Sequence, residues 1–377
     1  MSGERRDMTP AVGTPAEPGS WRPARPDAGV ELHQRDWADA RWSFLYGEDT
    51  AYATPGPPPD GLVEAASRSA RTGDPPPGFA PARAMMKPPV WTWEIPLYFW
   101  FGGMAAGSSF VALACDLSGD HRSARIARIV SLAALAPSPP LLVMDLGRPE
   151  RFYNMLRIFK VRSPMSMGAW ALTVFGNLAA GAVGADLVGR RRLARALGGA
   201  NAIVGGYLGS YTGVLLAATA VPVWARSRLF LGPIFVATAT ATGASATRLA
   251  LVVAGLPVGH PTRRALGRVE TGAMATELIL SEINERRLGR LAESLGQGRP
   301  GGLFRAAKWL VRAGLGLRLG RRRLGPGAHH VASGCFLAAA LCFRFAWVGA
   351  GKQSARDDEA VARMARATAA GRSPAPG

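Results

Sequence analysis

The sequence predicts an all-α fold, a polytopic bundle of transmembrane helices behind a proline-rich N-terminal arm. The hydrophobic content of 48% is concentrated in long uninterrupted runs. These runs are about 20 residues long, which is the length a helix needs to cross a bilayer. Small residues recur inside them at the four-residue spacing that lets membrane helices approach closely, namely at Gly103 and Gly107, at Gly176, Ala180 and Gly184, and at Gly205, Gly209 and Gly213. Six spans are predicted outright, and two weaker runs raise the expected number to eight.

The arm is assigned to residues 1–90 and holds 15 of the 29 prolines, so it is expected to be extended and mostly disordered. No basic-then-apolar secretory signal follows Met1, and the first membrane helix is therefore expected to provide targeting. Residues 31–49 cluster four aromatic side chains. This aromatic motif is interpreted either as an interfacial anchor or as a short segment that folds onto a partner subunit.

The bundle is assigned to residues 91–351 and is followed by a polar, flexible tail at 352–377. The six spans are drawn at 95–116, 126–144, 165–188, 199–222, 229–254 and 331–349. Two further runs are weaker candidates for spans, because 270–283 carries three glutamates and 303–319 carries four cations. These runs are interpreted either as helices buried inside the bundle or as helices at the membrane interface, which leaves six to eight spans.

The boundary between the second and third spans is explicit in the sequence. A charged segment, DLGRPERF, starts at Asp145 and ends the second apolar run, and SPMSMGAW opens the third. Ser163 is placed to cap the first turn of the third helix, and Pro164 sits where a helix tolerates a residue without an N–H. The loop between them is rich in cations and is expected to face a partner or lipid headgroups. The cations are Arg148, Arg151, Arg157, Lys160 and Arg162.

The net charge of +19 first suggests nucleic-acid binding. The cations, however, lie at helix ends and in short loops, without helix-turn-helix, RNP or zinc-finger spacing. We therefore expect them to contact lipid headgroups, and no nucleic-acid partner is predicted. Both sets of alternate loops are basic, so the positive-inside rule does not orient the chain.

Residues that hold redox cofactors are sparse. The five histidines fall in loops, helix ends or the arm, which argues against a bis-histidine haem inside the bundle. Cys115, Cys335 and Cys342 lack CxxC spacing and cannot hold an iron–sulfur cluster alone. Nucleotide-binding glycine loops, Ser-His-Asp sets and zinc signatures are also missing from the sequence. If the protein takes part in redox chemistry, its electrons come from another chain.

Four stretches of the sequence carry a family resemblance: 93–107 (WEIPLYFWFGGMAAG), DLGRPERF joined to SPMSMGAW within 145–170, 211–224 (YTGVLLAATAVPVW) and 344–351 (RFAWVGAG). They resemble the NrfD-type membrane subunits, which include the quinone-binding subunit of polysulfide reductase. The resemblance implies a bundle of typically eight helices in the cell (inner or plasma) membrane. It also implies electron exchange between the quinone pool and a ferredoxin-like iron–sulfur subunit that is bound to a molybdenum-type catalytic subunit.

A quinone headgroup needs hydrogen-bond donors for two carbonyls and a titratable group near water, because its reduction consumes two protons. Glu94 and Tyr98 lie four apart on one helical face at the start of the first span, beside Trp93. The resemblance places quinone contacts near this helix start. Asp145 and Arg148, at the end of the second span, are further candidates. The alternatives are an aromatic belt for Tyr98 and Trp93, a solvated carboxylate for Glu94, and a structural ion pair for Asp145 with Arg148.

Two ionisable residues fall inside hydrophobic runs. Glu277 becomes a proton-relay candidate if the run at 270–283 spans the membrane, and is ordinary if that run lies at the interface. Arg344, in the last span, is interpreted as a structural pair or a snorkelling side chain. Arg151, Arg157, Lys160 and Arg162 are candidates for docking a partner, with lipid headgroups as the alternative.

Three functions remain open at this stage. The first is a quinone-reactive membrane subunit of an oxidoreductase, which is not catalytic alone. The second is an ion or solute transporter built from the same kind of bundle. The third is a purely structural membrane anchor.

Overall fold

The computed structural model of the protein describes residues 86–146, 149–320, 324–325, 327–357 and 360–361. Within these residues the chain is helical and contains no β-strand, as the sequence predicts. The arm up to residue 85, its aromatic motif at 31–49 and the tail beyond residue 361 lie outside the described residues. Arg148 lies outside them as well.

Eight long helical segments of at least 22 residues make up the described bundle, and three short helices join them. The second long segment consists of two helices, α2 and α3, separated at residues 136–137. The helices are α1 (Glu94–Leu117), α2 (His121–Leu135), α3 (Ser138–Met144), α4 (Asn154–Arg157), α5 (Pro164–Leu187), α6 (Arg191–Ala217), α7 (Pro222–Arg226), α8 (Arg228–Val253), α9 (Pro261–Leu288), α10 (Glu293–Gly296), α11 (Gly298–Leu319) and α12 (Gly327–Ser354).

Five of the long segments are long and apolar enough to cross a membrane. They are α1, α2 with α3, α5, α8 and α12, and each overlaps one of the predicted spans. The other three, α6, α9 and α11, have 22 to 28 residues, about 33 to 42 Å at 1.5 Å per residue, but are more polar. The total of six to eight spans therefore stays a prediction.

The long helices alternate in direction, because short connections join most neighbours along the chain. One end of the bundle, here called the loop end, carries residues 91–93, 145–163, 218–227 and 289–297. The opposite end, here called the turn end, carries the tight connections at 118–120, 188–190 and 254–260. Gly119 and Gly189 have φ near +79° and +76° in two of these connections, a conformation that ends helices and favours glycine.

The start of α5 agrees with the sequence interpretation. The Ser163 side chain accepts a hydrogen bond from the backbone N–H of Ser166 at 3.4 Å, and Pro164 is the first helical residue. α12 continues to Ser354, three residues into the predicted tail. The bundle therefore extends slightly further than the apolar pattern indicates.

α9 is longer than the predicted run at 270–283 and is polar on the side that faces the bundle. Its buried residues recur every three or four positions and include Glu270, Glu277 and Asn284. Its large exposed apolar side chains, such as Val269 and Ile279, point the other way. A helix with a polar inner stripe and an apolar outer face is typical of a membrane bundle, because lipid accepts the apolar face.

Close helix packing relies on glycine at several of the predicted small-residue positions. A Cβ on Gly107 of α1 would overlap the backbone of Ala239 in α8, and a Cβ on Gly243 of α8 would overlap the backbone of Gly107. Gly213 of α6 faces the backbone of Leu231 in the same way. Gly184 shares the predicted spacing, but a Cβ added there would meet no described atom within 4 Å. The spacing therefore identifies real contacts in α1 and α6.

Candidate functional site

Stretches that carry the family resemblance contact each other at the loop end. The Tyr211 hydroxyl of α6 donates a hydrogen bond to the Pro164 carbonyl at the start of α5, at 2.5 Å. The Tyr211 ring fills the space that a Cβ on Gly168 would occupy. The YTG motif that begins at Tyr211 therefore packs against the SPMSMGAW segment. Position 168 is a glycine because a side chain there would overlap the Tyr211 ring.

Trp224 joins the remaining stretches. Its Nε1 donates to the Trp347 carbonyl at 2.8 Å, and its ring lies where a side chain on Gly351 would stand. The same ring stacks on Trp91, with centroids 5.4 Å apart and planes 22° apart. Trp91 also makes an edge contact with Phe99 of α1. The segments at 211–224, 344–351 and the start of α1 thus form one aromatic layer.

Two of the predicted carboxylates lie in one polar cluster beside this layer. Burial, then the negative charge of Glu94, raises the pKa of Asp145, while the Thr92 backbone N–H and the charge of Lys352 partly oppose the shift. The Thr92 hydroxyl donates to Glu94, and Lys352 Nζ donates to the Trp91 carbonyl at 2.6 Å. A half-buried carboxyl next to another carboxylate holds its proton to higher pH than a solvated one. The cluster is therefore suited to exchanging protons with water.

Tyr98 lies one turn deeper in α1 than Glu94 and is 3% exposed. Its ring contacts Gly102 and packs against Phe99 at a centroid distance of 5.6 Å. Its hydroxyl forms no hydrogen bond to any described residue. Trp93, in contrast, is 50% exposed, and so it lies outside this buried site. The structure places Glu94, Tyr98 and Asp145 at one end of the bundle and turns Trp93 away from its interior.

The connection between α3 and α5 projects its side chains from the loop end. Arg151, Arg157, Lys160 and Arg162 are all exposed, and none forms an ion pair with another described residue. Large apolar side chains stand between them, including Phe159, which is 57% exposed. The Ser166 hydroxyl ties this segment to α5 by donating to the Ile158 carbonyl and accepting the Lys160 N–H, at 3.1 and 3.0 Å. The loop therefore presents a fixed, cationic and partly apolar surface.

Glu277 and Arg344 are both buried in the middle of the bundle. Glu277 accepts a hydrogen bond from the Ser281 hydroxyl at 2.9 Å and lines a small cavity of about 10 Å³, which holds about one water molecule. Arg344 is 2% exposed and therefore does not snorkel. Its guanidinium lies 3.6 Å from the centroid of the Phe235 ring, and its Nε and Nη1 have no acceptor among the described residues.

A family model described as polysulphide reductase, NrfD, matches residues 82–281, more than half of the chain. The protein belongs to the NrfD family. A relative from Haemophilus influenzae, described as an NrfD homolog protein, is 24% identical over 220 residues. That match covers 51% of this chain and 68% of the relative. The family resemblance is thereby confirmed. Five helical segments among the described residues are long and apolar enough to cross a membrane, so the chain is an integral membrane subunit of the polysulfide reductase type.

The NrfD family match runs from just before α1 to most of α9. It includes Glu94, Tyr98, Asp145 and Glu277, but ends before α11 and α12. Arg344 and Lys352, which contact the matched part, lie beyond it. Lys352 was not predicted to be a site residue, because a lysine near a helix end ordinarily contacts lipid headgroups. Its partner, the Trp91 carbonyl, is 261 residues away in the sequence.

A second polar network, at the turn end of this NrfD-family bundle, was also missed. Arg128 of α2 pairs with Asp116 of α1 and with Asp186 of α5, with N–O distances of 2.6 Å to each. All three side chains are buried. Asp116 and Asp186 lie in the last turns of α1 and α5, where sequence alone suggests a solvated residue, and Arg128 lies two turns into α2. The signal that could have found them is the pair of aspartates placed at the ends of two apolar runs.

Proposed function

We propose that this protein is the quinone-interacting membrane subunit of a multi-subunit oxidoreductase in the cell membrane. It exchanges electrons with a partner iron–sulfur subunit, which is bound to a molybdenum-type catalytic subunit. The observation that carries the proposal is the convergence of the NrfD-type stretches at the loop end, around Glu94, Tyr98 and Asp145. The electron carriers themselves are assigned to the partner chains.

The side chains at the loop end fit the needs of a quinone substrate. Reduction of a quinone to a quinol takes two electrons and two protons. The Tyr98 hydroxyl, which no described residue engages, is a donor for one quinone carbonyl. The carboxylates of Glu94 and Asp145 lie one helical turn closer to the bundle end and transfer protons between the site and water. The stacked pair of Trp91 and Trp224 forms an apolar wall of the kind that small-molecule sites use.

The cationic loop at 149–162 is the surface we assign to the iron–sulfur partner. It lies at the same end of the bundle as the carboxylate cluster, so a partner docked there would bring its electron carrier close to the quinone. Its unpaired cations complement an acidic surface, and its exposed aromatic side chains provide apolar contact. Lipid headgroups are the competing ligand for the same cations.

Replacing Tyr98 with Phe should lower quinone-linked turnover about 2- to 10-fold, because one hydrogen bond worth about 0.5–1.5 kcal/mol is removed and the ring is kept. Turnover of the intact complex with quinone is measured against turnover of its catalytic subunit with an artificial acceptor. Only the first rate should fall. Tyr207→Phe is the matched control, because Tyr207 of α6 is 41% exposed and lies outside the site. Equal quinone kinetics in both variants would support the structural-anchor alternative instead.

Reversing the charge of Arg151 and Arg157 to Glu should release the iron–sulfur partner at moderate salt, while the variant still inserts into the membrane. Partner stoichiometry after affinity purification is the measurement. Arg191→Glu with Arg192→Glu makes the same charge change on exposed positions at the turn end and should leave the partner bound. If the loop variant keeps the partner at wild-type stoichiometry, the cations of the loop bind lipid headgroups and not the partner.

A transporter is the second candidate function, because the ionisable side chains of Glu277 and Arg344 are buried at mid-bundle depth and Glu277 lines a water-sized cavity. In the leading proposal the same Glu277 serves as a proton-relay group. Reconstitution of the protein without partners separates the two functions. Ion or solute flux across liposomes supports a transporter, and quinone-dependent electron transfer in the complex supports the redox subunit.

A further inference from the structure

A separate pocket of about 470 Å³ opens at the turn end, among α8, α9, α11 and α12. Its volume is within the range typical of small-molecule sites. Half of its ten lining residues are arginines. These are Arg248, Arg263, Arg264, Arg268 and Arg318, and together they define the arginine pocket.

The floor of the arginine pocket is a buried network with one carboxylate. Glu270 is fully buried and accepts hydrogen bonds from Arg318 and from the Ser333 hydroxyl, the latter at 2.8 Å. Arg248 donates to the same hydroxyl at 2.9 Å, and its Nε lies 4.0 Å from Glu270. Arg263 is buried beside them. Three buried guanidinium groups therefore share a single described carboxylate.

The remaining contacts do not neutralise this positive charge. Arg318 Nη1 donates to His329 Nδ1 at 2.6 Å, a contact that brings no negative charge. Arg263 Nη1 donates to the Leu256 carbonyl at 2.6 Å. The Nε and Nη2 of Arg263 and the Nε of Arg318 are buried without an acceptor among the described residues. Buried charge of this kind is costly unless an anion pairs with it.

We infer that the arginine pocket binds the phosphate group of an anionic phospholipid. Guanidinium groups match phosphate oxygens through paired hydrogen bonds, and basic pockets between transmembrane helices are known to take anionic headgroups. Arg263 and Arg264 stand in the first turn of α9 and Arg318 in the last turn of α11, which is the depth of a headgroup.

The rim of the pocket favours a lipid over free inorganic phosphate, which has the same chemistry. Leu319 lines the pocket and is 84% exposed, and Val258 lines it and is 49% exposed. These apolar side chains stand next to the arginines at the outer surface, where acyl chains would pass. A site for free phosphate gains nothing from such a rim. The inference uses no residue of the loop-end site, so it does not depend on the proposed redox function.

The test compares lipid retention by the full-length protein and two variants in native mass spectrometry. The Arg264→Gln, Arg268→Gln variant removes two exposed cations that line the pocket and leaves the buried network in place. The Arg191→Gln, Arg192→Gln control removes two exposed cations from the same end of the bundle. We expect wild type and control to retain phosphatidylglycerol and not phosphatidylcholine, and the pocket variant to bind phosphatidylglycerol at least about tenfold more weakly.

Three results would overturn the inference. If the pocket variant and the control retained phosphatidylglycerol equally, the arginine pocket would not be the lipid site. If the wild type retained phosphatidylcholine as well as phosphatidylglycerol, the charge of the headgroup would play no part in binding. Displacement of phosphatidylglycerol by inorganic phosphate at equal concentration would assign the arginines to a free anion. The thermal midpoint of each variant in detergent shows that folding is unchanged, as expected for exposed positions.

Discussion

Replacing Arg128 with Met should lower the free energy of unfolding by roughly 3–5 kcal/mol, since it leaves two buried carboxylates without their cation. Arg128 Nη1 lies 2.6 Å from Asp116, and its Nε and Nη2 lie 2.6 and 3.0 Å from the two oxygens of Asp186. This fork joins α1, α2 and α5 at the turn end. Unfolding in mixed detergent micelles, followed by circular dichroism, measures the loss.

Arg125→Met is the matched control, because Arg125 is exposed on the same helix and makes no ion pair with a described residue. Its effect should stay within about 0.5 kcal/mol. Adding Asp116→Asn and Asp186→Asn to the Arg128→Met protein should recover much of the loss, because the buried negative charges disappear with their partner. An Arg128→Met protein as stable as the Arg125→Met protein would show that the fork contributes nothing.

The apolar helices and their boundaries were predictable because hydropathy and capping are local properties. Each of the five apolar spans covers a run that the sequence marks by length and composition. Ser163 and Pro164 act within one turn of the helix that they start. The four-residue glycine spacing of α1 is likewise a local property, because it places small residues on one face of a single helix and so predicts a close contact there.

The polar helices were harder to predict, because their charges are satisfied by residues distant in sequence. Glu270 of α9 pairs with Arg318, 48 positions away, and with Ser333, 63 positions away. A hydropathy sum treats each of these residues as exposed to lipid and therefore shortens or rejects the helix. Only the packed bundle shows that the polar side of α9 faces inward.

The candidate site likewise has a part that could be predicted from local sequence and a part that depends on the packed fold. Glu94 and Tyr98 share one face of one helix, and that part of the site follows from spacing alone. Asp145 meets Glu94 only after two helices have folded back to the loop end, so their proximity could be expected but not established. The aromatic layer of Trp91, Trp224 and Trp347 joins residues more than 100 positions apart, and the sequence carried no local signal for it.

Adding a single methyl group to Gly107 should also be severe, with an expected loss of about 3 kcal/mol or more in the Gly107→Ala protein. The new Cβ would overlap the Ala239 carbonyl, which is backbone and cannot rotate away. Relief requires α1 and α8 to separate. Gly243→Ala should have a similar effect, because its Cβ would overlap the backbone at Gly107. Unfolding in mixed micelles and the yield of monodisperse protein measure both variants.

Gly206→Ala is the matched control, because a Cβ there would meet no atom of the described residues within 4 Å. It should be neutral or slightly stabilising, since alanine favours a helix over glycine by up to about 1 kcal/mol. Equal stability of the Gly107→Ala and Gly206→Ala proteins would mean that α1 and α8 do not touch at Gly107. α1 carries Glu94 and Tyr98, and Phe99 of α1 packs on Phe235 of α8. Separation of these helices should therefore also abolish the proposed quinone-linked turnover.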